Sequence, residues 1–107
     1  MILVLSLLLL FSSPVYSLET SSKTLERYTK KISNKFIRTY CNTTKFGISY
    51  EGALAFAIGE TNKEFKNNKL SKLIDYSQLK NSIVNDLENN CQVYNFDINS
   101  LENLKFK

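Results

Sequence analysis

The sequence predicts an all-α fold of three main helices and a short C-terminal helix, connected up-down-up and stapled by one disulfide. In three segments, apolar residues recur three or four positions apart, which is the spacing of one helix face. A cysteine stands at the end of the first segment and of the third. The stretch from Cys41 to Leu54, CNTTKFGISYEGAL, also recurs in degraded form from Cys91 to Leu104, as CQVYNFDINSLENL. Each copy predicts a helix end, a short loop and a new helix start.

The N-terminal residues predict export. An uncharged apolar run from Ile2 to Phe11 is too short to cross a bilayer, which needs about 20 residues, and it has the length of a secretory signal core. No Lys or Arg precedes it, but Val15 and Ser17 suit a cut after Ser17. We therefore expect a cleavable signal peptide at 1–17, a flexible lead at 18–22 and one helical domain at 23–107, in a secreted or periplasmic protein. An uncleaved anchor is the alternative, and with cleavage no transmembrane anchor remains.

The expected export bears on whether the two cysteines are oxidised to a disulfide. In an oxidising compartment, Cys41 and Cys91 are most simply one disulfide. Closing a loop of about 50 residues would restrict the unfolded chain by roughly 4 kcal/mol, which is comparable with the net stability of so small a domain. A free thiol pair is the alternative. The spacing fits neither a C-x-x-C redox motif nor a zinc site.

The first predicted helix runs from about Lys23 to Tyr40 and has two contrasting faces. One face is apolar: Leu25, Tyr28, Ile32, Phe36 and Tyr40. The opposite face collects six cations and is a candidate surface for anions or membranes: Lys23, Arg27, Lys30, Lys31, Lys35 and Arg38. A bundle helix that shows these cations to water is the simpler interpretation.

Asn42, Thr43 and Thr44 predict a break, and Ser49 predicts the cap of a second helix from about Tyr50 to Asn67. Its predicted inward face consists of Leu54, Ala57, Ile58, Thr61 and Phe65. A second face of mainly small residues comprises Gly52, Ala55, Phe56 and Gly59. We expect another part of the chain, such as its tail, to cover that face. An exposed partner surface around Phe56 is the alternative.

Asp75 and Gln78 have the spacing of a capping box and open the third helix. This helix presents Leu79, Ile83, Val84, Leu87 and Cys91 on one face. Asn99, the counterpart of Ser49, or Asp97 should cap a short final helix from about Ser100 to Lys105, which packs Leu101 and Leu104. An up-down-up order would bring both cysteines to the same end of the bundle.

A rival interpretation replaces the two loops by a pair of short strands. Phe46, Ile48 and Tyr50 alternate with polar residues, as do Tyr94, Phe96 and Ile98. Two short strands alone are weak. The helical interpretation therefore leads.

The residues that most enzymes use are scarce. The chain has no His, no Trp and only three Gly, so neither a Ser-His nor a Cys-His pair nor a glycine-rich phosphate loop is available. Glu60 and Glu64 could pair as acid and base, but the adjacent Lys63 and Lys66 favour a solvated, mixed-charge face. We expect no enzymatic activity, no cofactor and no metal.

The stretch CNTTKFGISYEGALAFAIGE and the later C-x-x-x-N-F-D-I-N-S-L-E-N-L resemble small exported two-cysteine helical proteins of marine cyanobacteria. The similarity covers about Phe36 to Leu104. It implies a compact helical fold, one disulfide and a place outside the inner membrane, and it carries over no binding residues. A vaguer likeness is to the small helical periplasmic acid-stress chaperones.

Three functions follow as expectations. The first is a non-enzymatic binding or structural role, with another protein or an anionic surface as partner. The second is binding of a membrane surface or polyanion through the basic face of the first helix. The third is an acid-responsive, chaperone-like role. Export and the lack of a base-stacking motif disfavour a nucleic-acid partner.

Overall fold

The fold is all-α in the computed structural model, which describes the backbone of residues 2–106 and the side chains of residues 22–106. Helix α1 spans Ile2–Lys45, α2 spans Tyr50–Phe65 and α3 spans Tyr76–Cys91. Two 3₁₀ helices, Lys69–Lys72 and Ile98–Leu101, complete the described secondary structure. The all-α prediction is confirmed. The rival strand pair is wrong, because residues 2–106 contain no β-strand.

The predicted signal peptide at 1–17 and lead at 18–22 lie outside the residues whose side chains are described, except for Ser22. Both remain predictions.

Helix α1 ends later than its pattern predicts. It continues past Tyr40 to Lys45, so the break expected at Asn42, Thr43 and Thr44 is wrong. The threonine hydroxyls donate to carbonyls of the same helix instead of competing with it: Thr43 Oγ1 to Thr39 O, and Thr44 Oγ1 to Cys41 O. The helix stops before Gly47, whose φ of +86° is left-handed and suits a residue without a Cβ.

Helix α2 begins as predicted but buries a different face. Ser49 is its N-cap and accepts a hydrogen bond from Gly52 N–H. Full burial falls on Ala53, Ala57, Thr61 and Phe65, whereas Leu54 and Ile58 are only partly buried. Three of the five residues predicted to face inward, Ala57, Thr61 and Phe65, are therefore buried as expected. The buried face is rotated toward Ala53, because the small side chains of Ala53 and Ala57 permit a close approach to the core. The helix ends at Phe65 and not at Asn67.

Helix α3 follows its pattern. Asp75 is the N-cap and accepts hydrogen bonds from Ser77 N–H and Gln78 N–H. Leu79, Ile83 and Leu87 are fully buried. Val84 and Cys91 are partly buried and pack against the core.

The C-terminal segment departs from its prediction. Asp97, and not Asn99, is the cap, and the helix that it opens is the 3₁₀ helix Ile98–Leu101. The expected short C-terminal helix is therefore present as a 3₁₀ helix, and its expected bounds, from Ser100 to Lys105, are wrong. The chain beyond Leu101 bonds to side chains of other helices: Asn62 Nδ2 donates to Asn103 O, and Asn62 Oδ1 accepts from Lys105 N–H. The carbonyl of Asn103 and the N–H of Lys105 are thus bonded to the Asn62 side chain, whereas in a helix they would bond to other backbone groups of that helix.

The core lies between α1 and the other two helices, since α1 packs against both α2 and α3. Tyr28 Oη and Ser71 Oγ share a buried hydrogen bond of 2.7 Å, and buried Ser33 donates to Asp86 Oδ2 at 3.1 Å. Cys41 and Cys91 form the predicted disulfide, with their Cα atoms 5.9 Å apart. The fully buried large side chains are Ile32, Phe36, Leu79, Ile83, Leu87, Leu101, Leu104 and Phe106.

Candidate functional site

A cleft of about 940 Å³ opens beside the disulfide. Its walls are the last turns of α1, the first turns of α2 and the segment 89–97. Both cysteines line it, so the bridge fixes the helix ends that form the walls. Its aromatic lining residues are Tyr40, Tyr50, Tyr94 and Phe96.

Exposed apolar side chains are concentrated in the two segments that follow the cysteines, and two of them, Tyr50 and Tyr94, line the cleft. Of the seven large hydrophobic side chains exposed among the described residues, five lie in the two segments that follow the cysteines. We call these five the apolar pole: Phe46 (86% exposed), Ile48 (50%), Tyr50 (71%), Tyr94 (62%) and Ile98 (36%). Scattered apolar residues are ordinary on a protein surface, whereas clustered ones are typical of interaction sites. The pole is therefore the first candidate site.

Local chemistry holds both segments in place. Gly47 turns the chain between Phe46 and Ile48, and the Ser49 cap places Tyr50 at the first turn of α2. After α3, Gln92 is left-handed (φ 56°) and Val93 N–H donates to Leu87 O, which closes the helix end. The segment then returns to the core through Phe96.

Tyr40 connects the pole to the core. Its ring stacks on Phe36 at 6.1 Å and meets the ring of Phe96 edge-on at 5.8 Å. Burial raises the pKa of the Tyr40 phenol above its ordinary value of 10.0, and the nearby Tyr50 phenol raises it further. Tyr40 is therefore a neutral packing residue in the cleft wall, while Tyr50 faces solvent.

Carboxylates in the described part of the chain do not form a metal centre. The cleft is lined by Glu51 and Asp97 together with Lys45. No three His, Cys, Asp or Glu side chains within the described residues are close enough to hold a metal ion. Glu64, which the sequence offered with Glu60 as an acid-base pair, forms an ion pair with Lys35, since its Oε1 lies 3.9 Å from Lys35 Nζ.

The basic face of α1 is the second candidate site. Five of its six cations, Lys23, Arg27, Lys30, Lys31 and Arg38, are exposed, and the sixth, Lys35, is half-buried beside Glu64. The sequence from 22 to 45 contains seven Lys or Arg and one Glu, whereas the sequence from 46 to 107 contains seven Lys and eight Asp or Glu. The positive charge of the domain is thus concentrated on α1.

The second face of α2 is not covered, so the expected cover by the tail is wrong. Ala55, Phe56 and Gly59 are exposed and Gly52 is half-buried. A Cβ at Gly59 would meet nothing within 4 Å. The tail packs nearer the C-terminal end of α2, where its backbone bonds to the side chain of Asn62. This leaves the alternative, an exposed surface around Phe56, as the prediction for this face.

The pattern of the sequence pointed to the basic face but not to the apolar pole. The sequence places Phe46, Ile48 and Tyr94 in two similar loops or in a rival pair of short strands, and neither interpretation identifies them as an exposed site. The signal was present, since each cysteine is followed within seven residues by aromatic and β-branched side chains with no helical period. Their exposure became evident only once the disulfide and the Phe96 contact brought the two loops to one end.

No helix among the described residues is both long and apolar enough to cross a bilayer. Comparison with protein-family models, with curated proteins and with solved structures gives no match to this chain. The resemblance to small exported two-cysteine proteins and the three functions expected from the sequence therefore remain predictions.

Proposed function

We propose that this is a small exported, non-enzymatic binding or structural protein that makes contact through its apolar pole. The observation that carries this proposal is the exposure of Tyr50 and Tyr94 in the wall of one cleft, with exposed Phe46 directly after the lining residue Lys45. Burying such side chains against a partner removes apolar area from water, which stabilises a complex. The disulfide supports export, because bridges persist in oxidising compartments.

We also infer that the three helices run up, down and up. In support, Ser33 bonds to Asp86 and Cys41 to Cys91, so positions advance together along α1 and α3. Along α2 the order reverses, since Tyr28 packs edge-on against Phe65 while Tyr50, at the other end of α2, lies near Tyr40. This order brings both apolar segments to the same end.

Partner capture from the native extracellular or periplasmic fraction tests the role of the pole. The pole variant carries Phe46→Ser and Tyr94→Ser. The matched control is Leu73→Ser, which removes another exposed apolar side chain (64% exposed) from outside the pole. The proposal predicts a component that the wild type and the control both retain and the pole variant loses. Equal retention by all three proteins would contradict it.

A second function is favoured by the segregation of charge: the basic face of α1 binds an anionic membrane surface or polyanion. Six cations on one helix face, with Glu26 as the one acid in residues 22–45, attract a polyanionic surface over a distance set by ionic strength. Such binding weakens as salt rises.

Co-sedimentation with anionic vesicles over a salt series tests this second function. Lys30→Glu with Lys31→Glu reverses charge on the basic face, whereas Lys69→Glu with Lys72→Glu makes the same change in net charge at exposed positions of the first 3₁₀ helix. We expect salt-sensitive binding that the first pair abolishes and the second pair largely preserves. Equal effects of the two pairs would show that only net charge matters.

A further inference from the structure

We propose that the segment 46–50, which comprises the loop before α2 and the first residue of that helix, inserts into the interface of an anionic bilayer while the basic face of α1 binds the lipid phosphates. This inference rests on the second proposed function and names its partner. It identifies Phe46 and Ile48 as the inserting side chains, and it assigns the cations of α1 to headgroup contact.

The two surfaces are adjacent in the chain, because the apolar segment follows the last residue of α1. The last residue of α1 is Lys45, and Phe46 follows it directly with 86% of its surface exposed. Phe46 N–H still bonds to carbonyls of the last turn, Asn42 O and Thr43 O. The apolar loop is therefore held at the end of the helix that carries the basic face, and one approach can bring both to the same surface.

The combination of side chains favours a bilayer over a soluble polyanion. Cations alone would bind either, because the attraction depends on charge density. Phe and Ile gain only where an apolar layer lies behind the anionic one, and Tyr suits the headgroup level between them. Stable attachment to a membrane generally needs two signals, such as an apolar anchor and a basic patch. This chain presents both.

The positions of the acids limit which residues can enter. Phe46, Ile48 and their neighbours up to Tyr50 carry no carboxylate, but Glu51 follows at once and is exposed. Asp97, beside Ile98, is also exposed. Placing these carboxylates in the hydrocarbon region is unfavourable. We therefore assign insertion to 46–50 and leave Tyr94 and Ile98 outside the hydrocarbon.

A single-tryptophan variant reports insertion directly, because the natural chain has no Trp. We would use the secreted protein, with its N-terminus read by sequencing, and phosphatidylcholine vesicles with and without phosphatidylglycerol. Phe46→Trp should shift its emission to shorter wavelength and be quenched by brominated acyl chains, only when phosphatidylglycerol is present. Leu73→Trp, at an exposed apolar position outside the pole, should show neither effect.

Binding affinities for anionic vesicles and for heparin distinguish the contribution of the apolar side chains from that of the cations. Phe46→Ser with Ile48→Ser should weaken binding to anionic vesicles about tenfold, since part of the burial energy of two apolar side chains is lost. The same variant should bind heparin, a soluble polyanion, as the wild type does. Lys30→Glu with Lys31→Glu should weaken binding to both.

Each result decides a different point. Vesicle binding by the wild type, with no spectral shift of Phe46→Trp and no loss for Phe46→Ser with Ile48→Ser, would overturn insertion and leave electrostatic binding standing. Binding to heparin but not to vesicles would identify a soluble polyanion as partner and overturn the inference. Insertion into uncharged vesicles to the same extent would overturn the role of the phosphates. Absence of binding to either probe would overturn the second proposed function itself.

Discussion

Cys41 and Cys91 are 50 residues apart in the sequence and are joined by a disulfide that ties the end of α1 to the end of α3. Both apolar segments start within a few residues of this bond: Phe46 five residues after Cys41, and Tyr94 three residues after Cys91. The bridge therefore holds together the two halves of the pole as well as two helices. Its loss should affect stability and the site at once.

Replacing both cysteines by Ala should lower the free energy of unfolding by about 4 kcal/mol, because the unfolded chain regains the entropy of a loop of about 50 residues. Urea denaturation of the double variant and of the wild type measures the difference. Wild type treated with a reductant is the control and should lose a similar amount. A change below about 1 kcal/mol would show that the bridge adds little to the packed helices.

Asn62→Ala should release the C-terminal tail. The Asn62 amide bonds to Asn103 O and to Lys105 N–H, both at 2.9 Å, and holds buried Phe106 beside Phe65 and Tyr76. Loss of the two bonds should destabilise the domain by about 1–3 kcal/mol and increase hydrogen exchange at Lys105 and Phe106. Asn67→Ala, at an exposed position just after the end of the same helix, is the control and should leave the tail protected. Unchanged exchange in Asn62→Ala would mean that Phe106 alone holds the tail.

Thr61→Val should stabilise the protein by about 1 kcal/mol. Thr61 is completely buried on α2, and its hydroxyl has no hydrogen-bond partner within the described part of the chain. Replacing an unpaired buried hydroxyl by a methyl group of the same shape removes a desolvation penalty. Thr29→Val is the matched control, because the Thr29 hydroxyl donates to Leu25 O at 2.9 Å, and it should bring no gain. Thermal unfolding compares the two, and destabilisation by Thr61→Val would indicate that the hydroxyl is satisfied.

Stability should fall as the pH rises above 10, and Tyr40 should account for part of the fall. Burial raises the pKa of the Tyr40 phenol in the folded state, so above 10.0 the unfolded chain loses its proton first. The stabilising contribution is complete below that value and is lost as the pH rises through the folded-state pKa. Urea denaturation of Tyr40→Phe should show a shallower decline than wild type between pH 9 and pH 11, a window set by the ordinary tyrosine pKa of about 10. Parallel declines would contradict the assignment.

The helices and much of the core could be predicted because helical geometry leaves a period in the sequence. Ile32 and Phe36 of α1, and Leu79, Ile83 and Leu87 of α3, fall on the predicted faces and are fully buried. These helices place large apolar residues inward, so pattern and packing agree. The Asp75 and Ser49 caps were predictable for a similar reason, since a capping side chain bonds within its own first turn.

The rest depends on contacts between distant residues. The inward face of α2 includes the small side chain of Ala53, which the hydrophobicity pattern leaves out, whereas Leu54 and Ile58, which the pattern places inward, are only partly buried. The tail is shaped by Asn62, 41 residues before Asn103. No local pattern predicts either arrangement.

The same distinction between local patterns and long-range contacts applies to the two candidate sites. The basic face lies on one helix and was visible as a period of Lys and Arg. The apolar pole combines two loops that only the disulfide and the contact of Tyr40 with Phe96 bring together. The exposure of the apolar pole depends on the folded arrangement of both loops, and the sequence of one loop alone does not predict it.

Mass spectrometry of the protein recovered from an exporting host tests the central claim, that this is an exported domain closed by one disulfide. After alkylation without reduction, we expect a chain that begins at Leu18, takes up no alkylating agent and yields a linked Cys41–Cys91 peptide on digestion. A chain that retains Met1, or that is alkylated at both cysteines, would contradict the account.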